Sequence, residues 1–301
     1  MIERVKNMEN IPSVDDIKSA KPDIGNIDHV DTGGFKAVYK ATVRGRIEAL
    51  KVVYLPPQIE EDGMRDEIVA RVKREIEALK RCDSECLVQL GTMELELMRI
   101  GSHDYLVYSE EFIEGESLRD QIQQGYRPNL AELIVLTRCL MKALSAIQAI
   151  DYIHRDVKPG NIITTGNEER PFVLLDLGIA YKIHGTQITA KRGGPPGTIL
   201  YMAPELFRPD YKNLLDIRSD IYSAGVTIFE FASGIHPLAK RGEDEHTTIY
   251  RIVTQPPIKL FGLRPDLPQT FCQIIDRCIK KMPALRYTSP SALLKSLEEI
   301  S

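Results

Sequence analysis

The distribution of hydrophobic and polar residues in the first part of the chain is typical of β-strands. Within Ile27–Leu55, the runs AVYKATV and IEALKVVYL are rich in β-branched and aromatic residues, which favour strands. The residues between these runs, RGR at 44–46, include the glycine that a tight turn favours. The pattern therefore predicts a β-hairpin, preceded by a glycine turn at Gly33 and Gly34.

The next segment changes to a helical period. Apolar residues recur there at spacings of three and four after an acidic first turn, which predicts an amphipathic helix; they are Ile68, Val69, Val72, Ile76 and Leu79. Two further strand-like runs follow, around LVQLGTMEL at 87–95 and HDYLVYSEEF at 103–112. The first third of the chain is thus predicted to be rich in strands, with one helix.

Helical patterns dominate after Gly115. Asn129 and Glu132 have the spacing of a capping box, and an apolar face continues from there to about residue 150. The run DIYSAGVTIFEFA at 220–232 is apolar on nearly all sides, which is typical of a helix buried in a core. This order of elements favours an α+β fold.

The N-terminal segment differs from the rest of the chain. Residues 1–24 are polar and contain Pro12 and Pro22, which disfavour a helix. We therefore expect these residues to form an extension outside the main fold.

Charge and hydropathy exclude several functional classes. Of 301 residues, 39 are Lys or Arg and 43 are Asp or Glu, so the net charge of −4 lacks the basic excess of nucleic-acid-binding proteins. Apolar stretches are too short for a bilayer span, and the first ten residues lack the apolar core of a signal peptide. We expect no nucleic-acid ligand, no membrane segment in this chain and a cytoplasmic location.

The chain contains five cysteines, an odd number that does not suit a disulfide framework. The sequence has neither a pair of C-x-x-C motifs nor an accompanying histidine cluster, so it does not indicate a metal site. The sequence therefore predicts reduced core residues at Cys82, Cys86, Cys139, Cys272 and Cys278.

The segment with the clearest chemistry is Tyr152–Ile163, which reads YIHRDVKPGNII. It contains an aspartate, a lysine and an asparagine within six residues, at Asp156, Lys158 and Asn161. These groups suit phosphoryl transfer, because a carboxylate can accept a hydroxyl proton, a cation can balance phosphate charge and an amide oxygen can bind Mg²⁺. A second candidate ligand, Asp176, follows the apolar run VLL twenty residues later.

These motifs, in this order from about Ile27 to the C-terminus, resemble the eukaryotic-type serine/threonine protein kinase family. The resemblance implies a bilobal α+β fold with a small antiparallel sheet and one helix in the first lobe. The kinase domain would cover 25–301, with the lobes at about 25–112 and 113–301. It also implies that Asp156 is the catalytic base, that Lys158 lies near the γ-phosphate and that Asn161 and Asp176 bind the metal.

The resemblance assigns the nucleotide site as well. Lys51 would hold the α- and β-phosphates of ATP and pair with a helix glutamate, for which Glu75 is the first choice and Glu67 the alternative. Adenine would lie between the lobes, near Val30, Val38, Ala49 and Ile163, with hinge backbone at Glu111 and Ile113. By the same alignment, Glu110 occupies the gatekeeper position. The cofactors implied are ATP and Mg²⁺, with Mn²⁺ as a substitute.

The phosphate-covering loop departs from the family's G-x-G-x-x-G pattern. In HVDTGGFKAV the three glycine positions hold Asp31, Gly33 and Lys36, and Gly34 is added. Glycine allows backbone N–H groups to approach phosphate closely, so the change bears directly on nucleotide affinity.

The segment from Asp176 to Glu205 contains three threonines, Thr186, Thr189 and Thr198. Arg155 precedes the candidate base and resembles the arginine that grips a phosphate on this segment in related kinases. We expect autophosphorylation of Thr186 or Thr189, whereas Thr198 would contact the catalytic loop.

The function implied is ATP-dependent phosphorylation of serine or threonine hydroxyls in proteins. Two alternatives remain open at this point. The altered glycine loop favours a pseudokinase scaffold, and a small-molecule phosphotransferase of related fold shares the aspartate-to-asparagine spacing. The sequence does not indicate an oligomeric state.

Overall fold

The computed structural model describes residues 11–33, 35–57, 63–177, 181–182, 199–211, 214–240 and 242–300. These residues form two compact units. One contains the described residues up to Lys80 together with Val88–Ile113, and the other contains Arg81–Leu87 and the described residues from Glu114 onwards.

The first unit is built on a five-stranded antiparallel sheet with strand order β1-β2-β3-β5-β4. The strands are β1 (Ile27–Gly33), β2 (Lys36–Val43), β3 (Arg46–Leu55), β4 (Glu96–Ile100) and β5 (His103–Glu111). The predicted hairpin is confirmed: β2 and β3 are joined by Arg44 and Gly45, at φ values of 48° and 80°. Two consecutive residues with positive φ form the kind of turn that matches strand twist in a two-residue hairpin.

Two helices lie in the described part of this sheet unit. Helix α1 (Val14–Ala20) and helix α2 (Met64–Arg81) cover opposite faces of the sheet. Ile17 of α1 packs into a core with Leu50 and Val107, whereas Ile68 and Val72 of α2 pack into another. The amphipathic helix expected over residues 68–79 is therefore confirmed, with bounds wider by four residues at the start and two at the end.

The expectation that the two prolines exclude a helix from the N-terminal segment is wrong for α1. Ser13 caps the helix in a reciprocal capping box with Asp16, and the helix ends before Pro22. The prolines therefore lie outside the helix, where proline is tolerated. Tyr39 Oη donates a hydrogen bond to the carbonyl of Pro12 at 2.6 Å, which ties this segment to β2.

The strand expected around residues 87–95 lies later in the chain, at β4. The segment before β4 makes irregular backbone hydrogen bonds to β5, from Gly91 N to the Ser109 carbonyl and from Ser109 N to the Met93 carbonyl. A Cβ atom at Gly91 would collide with the buried side chains of Ser109 and Glu48. The close approach of these polar side chains therefore interrupts regular pairing here.

The second unit is mainly helical. Its helices are α3 (Leu118–Gln123), α4 (Leu130–Ala149), α5 (Ile217–Ser233), α6 (Glu245–Thr254), α7 (Leu260–Leu263), α8 (Gln269–Cys278) and α9 (Pro290–Glu298). Short 3₁₀ helices lie at Pro159–Asn161, Pro204–Phe207 and Pro283–Leu285. The short strands are β6 (Glu116–Ser117), β7 (Tyr152–Ile153), β8 (Ile162–Thr164), β9 (Phe172–Leu174) and β10 (Tyr181–Lys182).

Helices α4 and α5 confirm the helical predictions for this unit. Asn129 and Glu132 form the expected capping box at the start of α4. Asp216 caps α5, and buried residues lie on almost every side of this helix. A sheet unit with a mainly helical second unit confirms the predicted kinase-type α+β fold. In the described part of the chain, every helix is too short or too polar to cross a bilayer.

The expectation of five reduced cysteines is wrong for two of them. Cys86 and Cys139 form a disulfide in the helical unit, with their Cα atoms 5.4 Å apart, inside the usual range. They are separated by 53 residues, so their spacing in the sequence gives no sign of the pairing. Cys82, Cys272 and Cys278 are free and buried, as expected.

Candidate active site

The loop after β7 carries the predicted catalytic residues and is held by an unusual backbone. Asp151, just before β7, and Arg155, in the loop after it, both adopt positive φ, at 61° and 68°, which non-glycine residues seldom do. The backbone N–H groups of His154 and Arg155 donate to the buried carboxylate of Asp220 on α5. The loop is thus fixed from outside, which is how strained conformations at functional sites persist.

Asp156 lies at the centre of this loop, with 8% of its surface exposed. Its Oδ2 accepts a hydrogen bond from Lys158 Nζ at 2.6 Å and another from Asn161 Nδ2 at 2.9 Å. Burial raises the pKa of the Asp156 carboxyl, and Lys158 opposes this increase. The three predicted loop residues therefore meet at one carboxylate.

His154 connects the catalytic loop to the strand that precedes Asp176. Its Nδ1 accepts a hydrogen bond from the backbone N–H of Asp156 at 3.2 Å, and its Nε2 lies 3.2 Å from the carbonyl of Leu175. This pairing assigns the neutral tautomer with the proton on Nε2. Burial lowers the pKa of the His154 imidazole, which favours the same neutral form. His154 is therefore a structural residue of the loop.

Asn161 and Asp176 offer two oxygen ligands to a divalent cation. The backbone of Leu175 donates to the Asn161 carbonyl at 2.7 Å, which brings the two segments together. Asn161 uses its amide nitrogen for Asp156, so its side-chain oxygen is the group left to bind a metal. Asp176 adopts φ 63° and raises the pKa of Asp156 by its negative charge. These two oxygen ligands fit Mg²⁺, which prefers oxygen ligands and whose remaining coordination positions phosphates and water would fill.

Gly160, between Lys158 and Asn161, is packed against a cation. A Cβ atom there would collide with the guanidinium of Arg119 on α3. Glycine therefore allows Arg119 to lie directly on the catalytic loop. The sequence pattern gave Arg119 no role, and its contact with the loop becomes visible only from the fold.

In the sheet unit, Lys51 on β3 faces two acidic side chains. Its Nζ lies 2.7 Å from Glu110 Oε2 and 3.8 Å from Glu75 Oε1. The alternative partner, Glu67, instead lies 3.6 Å from Arg71, one turn along α2. The structure thus places Glu75 near Lys51, although Glu110 is closer. Alternation in DYLVYSEEF, which puts Glu110 on the same face as Leu106 and Tyr108, is the sequence signal that could have revealed this pairing.

The predicted nucleotide-contacting residues divide between the two units. Those in the sheet unit are Val30 and Gly33 on β1, Val38 on β2, Ala49 on β3, Glu111 at the end of β5, and Ile113. Val30 is about half exposed, and Ala49 is buried. Ile163 lies on β8 in the helical unit.

Several predicted residues lie outside the described part of the chain. They are Gly34 of the glycine loop and the three threonines Thr186, Thr189 and Thr198. Arg155 is described, and its backbone is held by Asp220 at 2.8 Å.

Comparison with known proteins gives similar sequences over most of the chain. It is 28% identical over 274 residues to a probable serine/threonine-protein kinase of Clostridium perfringens, covering 90% of this chain and 37% of that protein. Serine/threonine-protein kinase PknA of Mycobacterium tuberculosis is 30% identical over 263 residues, covering 86% of this chain and 57% of PknA. The chain is also 28% identical over 277 residues to the probable serine/threonine-protein kinase PknB of Bifidobacterium longum, covering 87% of this chain and 37% of that protein.

The chain thus spans between about a third and three fifths of the length of these relatives. The family model described as the protein kinase domain matches residues 26–297, which is most of the chain. The predicted motifs, the α+β fold and this match agree. The chain therefore belongs to the protein kinase domain family.

Proposed function

We propose that this protein transfers the γ-phosphoryl group of ATP to serine or threonine hydroxyls of proteins. The observation that carries the proposal is the meeting of Lys158 and Asn161 at the carboxylate of Asp156. The names of the relatives, all serine/threonine-protein kinases, support the same acceptor class. Because ATP is the proposed donor, we also propose a cytoplasmic location.

Asp156 is the proposed catalytic base. Its Oδ2 receives both side-chain hydrogen bonds, while its Oδ1 has no partner among the described residues. Oδ1 is therefore the oxygen that would accept the proton of the substrate hydroxyl. Burial raises the pKa of this carboxyl, and a more basic carboxylate is a better proton acceptor when it is ionised.

Lys158 and the proposed metal ligands would balance the negative charge of the phosphates. Lys158 Nζ is 2.6 Å from Asp156, so its positive charge lies where the transferred phosphoryl group and the attacking hydroxyl would meet. Asn161 and Asp176 would hold Mg²⁺, for which Mn²⁺ is a substitute. When bound, the cation would neutralise charge on the phosphates and orient them.

The sheet unit would supply most of the nucleotide contacts, and the helical unit would supply Ile163. We assign Lys51 to the α- and β-phosphates, with Glu75 as its partner, and Gly33 and Gly34 to the phosphate-covering loop. Val30, Val38, Ala49 and Ile163 would contact adenine, with hinge backbone at Glu111 and Ile113. A phosphate-covering loop needs backbone N–H groups close to phosphate, and glycine at positions 33 and 34 would allow that approach.

Activation would involve the segment between Asp176 and Glu205. We propose that Thr186 or Thr189 is autophosphorylated and that Arg155 binds the phosphate, whereas Thr198 contacts the catalytic loop. A phosphothreonine carries close to two negative charges at neutral pH, so it can form strong hydrogen bonds with a guanidinium.

The test is a transfer assay with ATP labelled at the γ-phosphate. The acceptors are dephosphorylated casein, an aminoglycoside and choline, and labelled protein is hydrolysed for phosphoamino-acid analysis. We expect label on serine or threonine of protein and none on the small molecules. Label on a small molecule alone would indicate a small-molecule phosphotransferase, and ATP binding without any transfer would indicate a scaffold.

A further inference from the structure

Lys51 is buried between two carboxylates. The side chains of Lys51, Glu75 and Glu110 are 5%, 3% and 2% exposed, respectively. Lys51 Nζ lies 2.7 Å from Glu110, within hydrogen-bond distance, and 3.8 Å from Glu75, at the outer limit of an ion pair. In this conformation Glu110 is the closer acidic partner.

The sheet register explains why Glu110 reaches the lysine. On the antiparallel strands β3 and β5, Lys51 lies opposite Tyr108, and Ala49 lies opposite Glu110. Lys51 and Glu110 are thus diagonal neighbours on the face that α2 covers, and long side chains can span that distance. The contact follows from strand pairing and does not require a movement of α2.

Two carboxylates face the ammonium of Lys51 in a buried site. An ion pair there is much stronger than in water, and the loss of a partner is costly. Glu110 Oε1 has no hydrogen-bond partner among the described residues. Glu110 and Glu75 lie 2.7 and 3.8 Å from the same ammonium, so the two glutamates compete for it.

We propose that Glu110 is a positioning residue that competes with Glu75 and with nucleotide phosphate for Lys51. This inference rests on the proposed function, in which Lys51 binds the phosphates of ATP. Phosphate must draw Lys51 away from Glu110, and it then approaches a carboxylate that has lost its cation. Glu110 thereby weakens nucleotide binding, and removing its charge strengthens it.

A matched control lies on the opposite face of the same two strands. Glu48 is also buried, and its carboxylate accepts hydrogen bonds from Ser109 Oγ at 2.5 Å and from Thr92 N at 2.9 Å. Glu48 alternates with Ala49 along β3, so it points away from the face that carries Lys51. Glu48→Gln therefore changes a buried glutamate of the same sheet without touching the lysine.

The experiment compares wild type, Glu110→Gln, Glu110→Leu and Glu48→Gln. Steady-state kinetics give KM for MgATP and kcat, isothermal titration gives the Kd, and circular dichroism checks folding. Both Glu110 variants are expected to lower the Kd and KM about fivefold to tenfold, with kcat changed less than threefold. Glu48→Gln is expected to leave the Kd within twofold of wild type. If the Glu110→Gln variant does not fold, the Glu110→Leu variant still tests the proposal.

Three outcomes overturn the inference. They are an unchanged Kd in both folded Glu110 variants, a Kd that rises in them, and an equal decrease in the Kd of Glu48→Gln. Failure of the proposed function is a separate result, because wild type would then transfer no phosphate and Lys51→Met would not alter MgATP binding. With active, Lys51-dependent wild-type enzyme, the Glu110 result tests the competition alone.

Discussion

The buried carboxylate of Asp220 holds the backbone at His154, 66 residues earlier in the chain. Its Oδ2 accepts the N–H of His154 at 2.6 Å, and its Oδ1 accepts the N–H of Arg155 at 2.8 Å. Burial raises the pKa of the Asp220 carboxyl, while these two donors lower it. The core helix α5 thus fixes the loop residue that precedes Asp156.

Asp220→Asn is therefore expected to reduce kcat about 100-fold, because a displacement of about 1 Å at a reacting group can have that effect. The asparagine amide has one acceptor oxygen and one donor nitrogen, whereas the N–H groups of His154 and Arg155 require two acceptors. The matched control is Asp216→Asn at the start of the same helix, which keeps a capping side chain and is expected to retain kcat. Equal kcat values for wild type and Asp220→Asn would contradict the positioning role.

Arg286 and Glu205 form a buried bidentate ion pair, with Nη1–Oε1 and Nη2–Oε2 distances of 2.6 and 2.7 Å. Breaking such a pair leaves an uncompensated buried charge, which costs about 3 to 5 kcal/mol. We expect Arg286→Met to lower the free energy of unfolding by that amount, measured by urea denaturation. Arg208→Met, at the exposed pair with Asp210, is the control and should change stability little. Similar curves for the two variants would refute this account.

His236 is expected to make the protein less stable in acid. Its Nδ1 accepts hydrogen bonds from Leu238 N and Ala239 N, and Nε2 lies 2.9 Å from the Leu200 carbonyl, an arrangement of the neutral ring. Burial lowers the pKa of His236 from 6.5 to about 4. Between these values the unfolded chain binds a proton that the folded chain does not, so stability falls as the pH falls.

The measurement is the free energy of unfolding at pH 7 and pH 5 for wild type and His236→Asn. The loss on acidification should be smaller in the variant by roughly 2 kcal/mol. Asparagine keeps an acceptor for the backbone N–H groups but does not titrate. The exposed His246 provides the control, and His246→Asn should leave the wild-type loss intact. An identical pH dependence in wild type and His236→Asn would count against the assignment.

The disulfide between Cys86 and Cys139 closes a loop across a separation of 53 residues. A cross-link of that length is expected to stabilise the folded chain by about 4 kcal/mol, through the restricted unfolded state. A reducing agent should therefore lower the urea midpoint of wild type and leave that of Cys139→Ser unchanged. Alkylation of the denatured, unreduced chain should label three of the five cysteines. Five labelled thiols would show that the bond is not formed.

Much of the fold could be predicted because local residue patterns favour particular elements. The β-branched and aromatic runs on either side of Arg44 and Gly45 predicted the β2–β3 hairpin, and the capping box at Asn129 predicted the start of α4. The pattern does not predict helix α1, because proline disfavours a helix, yet Pro12 and Pro22 lie on either side of it. Whether residue 24 marks a domain boundary stays a prediction.

The chemistry of the site could be predicted only where its residues are close in sequence. Asp156, Lys158 and Asn161 share one loop, so their spacing indicated that they would meet. The contact between Lys51 and Glu110 depends on the register of two strands that are about sixty residues apart in the chain, and the pairing of Cys86 with Cys139 depends on the packing of α4. Both arise from tertiary structure, which local patterns do not encode.

The most direct test of the account is intact-mass and phosphopeptide analysis of the purified protein after incubation with MgATP. Wild type is measured beside Asp156→Asn, which removes the proposed base, and Lys51→Met, which removes the proposed phosphate ligand. The account predicts added phosphate on threonine or serine of wild type, including Thr186 or Thr189, and none on either variant. Equal phosphate incorporation in wild type and Asp156→Asn would contradict the central claim that Asp156 is the catalytic base of a protein kinase.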